Sequence, residues 1–207
     1  MLKETTGRTA QDLAAELEGL RGVDWASVWA GPPQGGSPEF DAWCGRYGWE
    51  PKTVEGNLIV RTRSGGKMTL WSGGIWNPVR GLTHYAWEVM ADAPAENPDV
   101  LSAGNTAWPE ILQAAVSVLG APVWSGAWDA EDFPEPPESR FWRGKESRLQ
   151  TRNPYRLAFW EPVGEHPGQV FFTLEQSVAF PTWTVDTPGG STIALDVYAP
   201  EGSRRRW

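Results

Sequence analysis

The spacing of apolar residues changes along this chain from a helical period to an alternating one, then repeats the change, and this limits the folds open to it. Thr9 followed by Asp12 gives a capping-box-like start. Leu13, Leu17 and Leu20 then recur on one helical face, and Gly22 closes the run. Ser37-Pro38-Glu39 opens a second helix with a cap, a proline in the first turn and an acid at the positive dipole end. Its stripe is Phe40, Trp43, Cys44 and Tyr47, and Gly48 ends it. Cys44 lies on that stripe, so it is expected to be buried and chemically inert.

From there the period is two. Residues 53–63, 67–72 and 82–91 are expected to form antiparallel strands, the first two joined by a turn at Ser64-Gly65-Gly66. A third helix is expected over 106–119, capped by Asn105 or Thr106, with Pro109 in its first turn. Its apolar face is Trp108, Ile111, Leu112, Ala115 and Leu119, and Gly120 and Pro122 stop it. Residues 123–139 show no clear period and are expected to be loop. Strands are expected again at 140–143, 147–151, 155–161 and 169–176. A last hairpin turns at Thr187-Pro188-Gly189-Gly190, between 182–186 and 191–198. This order predicts an α+β fold, an antiparallel sheet or sheets with helices packed on one face. The length suits one globular domain over 1–207. The helix-then-meander order occurs twice, which gives two similar sub-halves, 1–103 and 104–207.

Chemistry is harder to find than structure. The single Cys44 excludes an intramolecular disulfide and a thiolate zinc cluster. The only histidines, His84 and His166, stand in no catalytic or metal-binding context, and His84 alternates out of phase with Tyr85, Trp87 and Val89. The glycine pairs lack the spacing that cradles phosphates and read as turns. Neither an enzyme activity nor a metal nor a cofactor is expected. No stretch reaches the ~18 apolar residues of a membrane span. The first residues lack a signal peptide's apolar run, so a cytoplasmic location is expected.

Charge is distributed unevenly. The formal net charge is −8, yet the segment from Gly81 to Ser139 contains no Lys or Arg and ten acidic residues. Within it, 128–138 gathers Asp129, Glu131, Asp132, Glu135 and Glu138 with three prolines and an isolated Phe133. Prolines stiffen such a loop and reduce the entropy lost on docking. It reads either as a solvated acidic loop or as a docking element for a basic cleft running from Trp124 to Glu138, with Trp128 and Phe133 as apolar anchors. Directly after it come Arg140, Arg143, Lys145, Arg148, Arg152 and Arg156, against a single Glu146. These cations would either neutralise the loop internally or form a second patch. The acidic balance argues against nucleic acid as a partner, and the Arg204-Arg205-Arg206-Trp207 end reads as a solvated terminus. Fourteen tryptophans fit a core and half-buried sheet. They also fit a sugar platform, with catalytic carboxylates drawn from Asp129, Glu131, Asp132 or Glu135.

Three segments carry a family resemblance: DAWCGRYGWEP after the first helix, the helix ending in LGAP, and RFWRGKESRLQTRNPYRLAFWEP. Over residues 9–176 the chain resembles small actinobacterial cytoplasmic proteins encoded beside secreted polymorphic toxins and regarded as their immunity proteins. The marks are Gly48-Trp49, the Leu119-Gly120 and Pro122 pattern, and Trp142-Arg143; the hairpin at 182–198 and the RRRW end depart from it. The resemblance implies a non-enzymatic inhibitor that occupies the active site of one toxin or a surface beside it, and it carries over no binding residues. Many toxin domains are nucleases with basic clefts, so a cognate basic toxin is the expected partner. An interaction adaptor or secretion chaperone, and a carbohydrate-binding or carbohydrate-active protein, are the alternatives.

Overall fold

Thr9 and Asp12 cap each other, as their spacing requires. The Asp12 carboxylate accepts from the Thr9 N–H and hydroxyl, both at 2.8 Å, and Thr9 Oγ1 accepts from the Asp12 N–H at 3.3 Å. Helix α1 (Ala10–Arg21) follows and buries Leu13, Leu17 and Leu20. The computed structural model describes residues 2–4, 6–53, 57–72, 78–137, 141–162, 170–179 and 187–199. A short helix that periodicity did not reveal, α2 (Trp25–Ala30), starts on the Asp24 side chain and stacks Trp25 on Trp29 at 5.0 Å. Six residues are too few to show a 3.6-residue period. Helix α3 (Pro38–Tyr47) begins at the Ser37 cap and ends on Gly48 at φ +67°. Cys44 is buried within it, and burial, helped by the Asp41 charge, pushes the thiol up to about 11.

The strands are β1 (Lys3–Glu4), β2 (Glu50–Thr53), β3 (Leu58–Arg61), β4 (Lys67–Ser72), β5 (Val79–Met90), β6 (Trp124–Ala127), β7 (Arg156–Trp160), β8 (Phe171–Val178) and β9 (Gly190–Tyr198). They run in the order β2-β3-β4-β5-β9-β8-β7-β6, with β1 paired to β5 beside that path. The fold is α+β with an antiparallel sheet. The expected strand over 53–63 resolves into β2 and β3, and the turn at Ser64-Gly65-Gly66 joins β3 to β4 as its glycines suggested, with Gly65 at φ +86°.

Four expectations need correction. The third helix, α4 (Asn97–Leu119), starts nine residues earlier than Thr106. Asn105 and Thr106 resemble a cap, but the Thr106 hydroxyl donates back to the Ser102 carbonyl at 3.0 Å, the alternative bond available to threonine inside a helix. Residues 147–151 are helix, not strand: five of the seven residues of α5 (Lys145–Thr151), Lys, Glu, Arg, Leu and Gln, are strong helix formers. Residues 124–127, read as loop, form β6, whose sequence WSGA is too short to show alternation. Residues 141–143, expected as strand, instead form a turn that runs into α5; the 182–186 arm of the last hairpin and residues 140 and 169 lie outside the described residues.

The chain divides into two compact units: Met1–Ala14, Tyr85–Trp160 and Thr173–Leu195, here the long-helix unit; and Ala15–His84, Glu161–Phe172 and Asp196–Trp207, the meander unit. In the long-helix unit, α4 lies close enough to β8 and β9 that a Cβ on Gly104 would stand 2.6 Å from Gln176 Nε2 and 2.8 Å from Ser191 Oγ. Asn97 ties the start of that helix to the turn before β9, donating to the Thr187 carbonyl at 3.2 Å and accepting from the Gly189 N–H at 2.8 Å. Alanine would raise helix propensity at position 104 by up to about 1 kcal/mol. Gln176 and Ser191 are fully buried and bonded to each other, so making room means shifting that pair within a packed interior. Gly104→Ala is therefore expected to lower unfolding free energy by about 1–3 kcal/mol in denaturant melts, against the propensity trend.

The meander unit packs Val60, Met68, Leu70 and Leu82 at 1 % exposure or less, beside an aromatic group in which Trp43 meets Trp49 at 5.6 Å and Tyr47 at 5.4 Å. Asp196 on β9 is also buried, and its carboxyl accepts from the Thr83 hydroxyl on β5. Burial raises its pKa to about 7, against a smaller lowering by the Thr83 hydrogen bond. The fold therefore holds the protonated acid. The stability this confers is complete below the unfolded pKa of about 4, falls as pH rises toward 7, and is lost above it. Asp196→Asn is expected to match the native chain at pH 4, exceed it at pH 8 by a few kcal/mol, and show no decline between. Urea melts across that range measure it; parallel pH profiles for the two proteins would contradict it.

Candidate functional site

Strand β6 runs directly into the acidic segment, where two successive turns reverse the chain: the Ala130 N–H donates to the Ala127 carbonyl at 3.1 Å, and the Phe133 N–H to the Ala130 carbonyl at 3.2 Å. The reversal brings Phe133 back to Trp124, ring centroids 4.7 Å apart in an edge arrangement. Trp124 Nε1 then donates to the Asp132 carboxylate at 3.1 Å. Further along, the Pro134 carbonyl accepts from Trp142 Nε1 at 3.0 Å.

Helix α5 closes this arrangement from the inner side. Arg148 projects from the helix itself, and Arg152 is its C-cap, in the left-handed region at φ +52°. The Arg148 guanidinium carbon stands 3.9 Å from the Phe133 ring centroid, and its Nη1 donates to the Trp128 carbonyl. Arg152 lies over the Trp128 ring at 5.2 Å. Arg148 is only 3 % exposed, unusual for an arginine. Burial draws its pKa down from the ordinary value, while the Glu135 and Asp129 charges oppose that shift. Its planar group thus stacks on a ring and donates to backbone, while its charge is balanced by carboxylates at the surface.

The eight residues singled out in the sequence therefore separate into two groups. Asp129, Glu131, Asp132 and Glu135 are exposed. Trp124 and Trp128 are half-buried, and Phe133 is 7 % exposed. Phe133 is a brace between Trp124 and Arg148 and has little ring surface left to offer a partner. Glu138 lies outside the described residues. The result is a ledge whose aromatic side faces the protein and whose carboxylate side faces solvent. Sequence reasoning named the carboxylates and missed the brace. The signal available for it was Arg148 within a helix-forming run.

The tryptophans bear on the sugar-platform alternative. Trp25, Trp29, Trp43, Trp49, Trp108, Trp142 and Trp160 are buried. Trp71, Trp87, Trp124 and Trp128 are half-buried. Trp76, Trp183 and Trp207 lie outside the described residues. None of the described tryptophans is fully exposed; any ring face open to a ligand must belong to the half-buried Trp71, Trp87, Trp124 or Trp128. His84 is buried as well, its Nδ1 3.0 Å from the Lys67 carbonyl, to which it donates. Among the described residues no helix is long and apolar enough to cross a membrane. Compared with protein-family models, with curated proteins and with solved structures, the chain matches none of them.

Proposed function

We propose that this chain is an immunity protein: a non-catalytic, cytoplasmic inhibitor that binds one cognate basic toxin and occludes its active site through the ledge at 124–138. The observation that carries the reading is the bracing of that ledge. Four exposed carboxylates within seven residues, Asp129 to Glu135, stand on a turn fixed by the Arg148 stack, the Trp124–Asp132 hydrogen bond and the Trp142–Pro134 hydrogen bond. A loop that served only solubility would gain nothing from a buried arginine beneath it. A preorganised acidic surface gains on both counts, since its field speeds encounter with a basic cleft and its ordering is not repeated on binding.

Strand β6 supports the same location. It ends the strand order, and its residues Trp124, Ser125, Gly126 and Ala127 include no charge and no proline. At the other end of the order, β2 carries Glu50, Pro51 and Lys52 and a register shift, features that discourage further strand pairing. A toxin strand added to β6 would bring its flanking cations directly to the ledge.

Affinity capture from lysate of the source organism at low salt, with Asp129→Asn/Glu131→Gln/Glu135→Gln run alongside, tests the assignment. The expected result is one dominant basic toxin-like protein, retained by the native chain and lost by the variant. The same partner held equally by both would remove the ledge from the interface. A partner without toxin activity would favour the adaptor reading.

A further inference from the structure

Strand β6 is bonded to a neighbour on one side only, where it ends the strand order. The Tyr155 and Phe159 carbonyls accept from the Trp128 and Val123 N–H groups at 3.0 and 2.9 Å. Backbone groups alternate from side to side along a strand, so positions 155, 157 and 159 are the ones that face β6. Their cross-strand partners are Trp128, Gly126 and Trp124. The backbone groups of Ser125 and Ala127 therefore point away from β7. The Ala127 carbonyl is taken by the Ala130 N–H, which leaves the Ser125 N–H and carbonyl and the Ala127 N–H directed outward. Ser125 is exposed, and β6 pairs with β7 without a register shift, so no bulge turns this edge aside.

The two faces of β6 differ. Trp124, Gly126 and Trp128 share one face, and Val123, Ser125 and Ala127 the other. On the first, the Trp124 indole lies along the strand over Gly126, where a Cβ would stand 2.6 Å from Trp124 Cη2 and Cζ2. Asp132 accepts from Nε1 of the same ring, so a carboxylate and a half-buried π-surface border the open edge together. On the second, Val123 is 59 % exposed beside Ser125 and the half-buried Ala127, a small and uncharged surface.

Resting on the toxin reading, we propose that the toxin presents to β6 an extended strand of alternating chemistry, with cations on the Trp124 face and β-branched residues on the Val123 face. Backbone pairing supplies affinity whatever the side chains, and alternate side chains then select the partner. On the Trp124 face a cation meets the indole and Asp132, which favour it over an acidic residue. On the other face a β-branched residue packs beside Val123 with no charge to desolvate. The ledge then sets the rate of encounter, and the β6 edge sets how long the complex lasts.

An acetylated and amidated RVKVRV peptide, whose cations and valines fall on opposite faces, serves as the probe. Titrated into isotope-labelled full chain at low salt, it is expected to shift the Ser125 and Ala127 amide resonances. The acidic counterpart EVEVEV is expected not to bind measurably. Ser125→Pro removes an outward donor at a position where an edge strand tolerates proline, and is expected to weaken RVKVRV about tenfold. Ser125→Ala keeps the amide and is expected to match the native chain. Ala127→Pro repeats the test at the second outward amide should Ser125→Pro fail to fold. Shifts confined to residues 129–135, equal affinity of RVKVRV for the native chain and a folded proline variant, or no binding at all would overturn strand pairing. The toxin reading fails separately: a captured toxin held equally by the native chain and Ser125→Pro, yet lost by the ledge variant, would keep that reading and reject this one.

Discussion

Arg148→Ala lowers unfolding free energy by about 2–4 kcal/mol and the melting temperature by roughly 5–15 °C. Two losses combine. The Trp128 carbonyl loses a charged donor, worth about 1.5–3 kcal/mol, and the Phe133 ring loses its stacked cation, worth about 0.5–2 kcal/mol. The removed side chain also leaves a void under Phe133, and the surface charges of Asp129 and Glu135 lose their counterpart. Arg148→Lys restores charge without the planar group, so it recovers only part of the loss. Calorimetric melts of the three proteins measure this. A melting temperature unchanged in Arg148→Ala would mean that the ledge is not braced from below. If the toxin reading is right, the same variant also releases toxin faster, because the ledge must then be ordered at each binding event.

Neutralising Asp129, Glu131 and Glu135 together has the opposite profile. All three are exposed, but Asp129 and Glu135 also balance the buried Arg148 charge, so a stability loss of about 1–2 kcal/mol is expected, smaller than that of Arg148→Ala. Association with a basic toxin is expected to slow by about 10- to 100-fold at low ionic strength. Added salt should slow the native chain steeply and the variant only slightly, since screening removes what the substitutions have already removed. Asp132 is left in place because its carboxylate accepts from Trp124 Nε1, and changing it would disturb the ledge as well as its charge. Stopped-flow association at several salt concentrations separates these effects. Parallel salt dependences for the two proteins would assign the steering charge to another surface.

Local chemistry explains which parts of the fold could be read without coordinates. The Thr9–Asp12 box, the Ser37 cap and Gly48 act within four or five residues of themselves, and each holds as read. Strands β4, β7 and β8 and most of β5 and β9 were recognisable from alternation or from apolar runs. The misread parts depend on partners distant in sequence. The start of α4 is fixed by Asn97 bonding to Thr187 and Gly189, about ninety residues away. Helix α5 looks like an alternating strand until Arg148 is seen to be buried under Phe133. That same contact turned Phe133 from an expected exposed anchor into a brace. Charge, which requires no contact to be counted, located the candidate site. The neighbours that shape it required the structure.

Growth on co-expression tests the central claim most directly. Cells producing the captured toxin are expected to survive with the native chain and to die with the Asp129→Asn/Glu131→Gln/Glu135→Gln variant, at equal levels of folded protein. Equal survival with both proteins would show that protection does not pass through the ledge, and death with both would show that the chain is not the toxin's inhibitor.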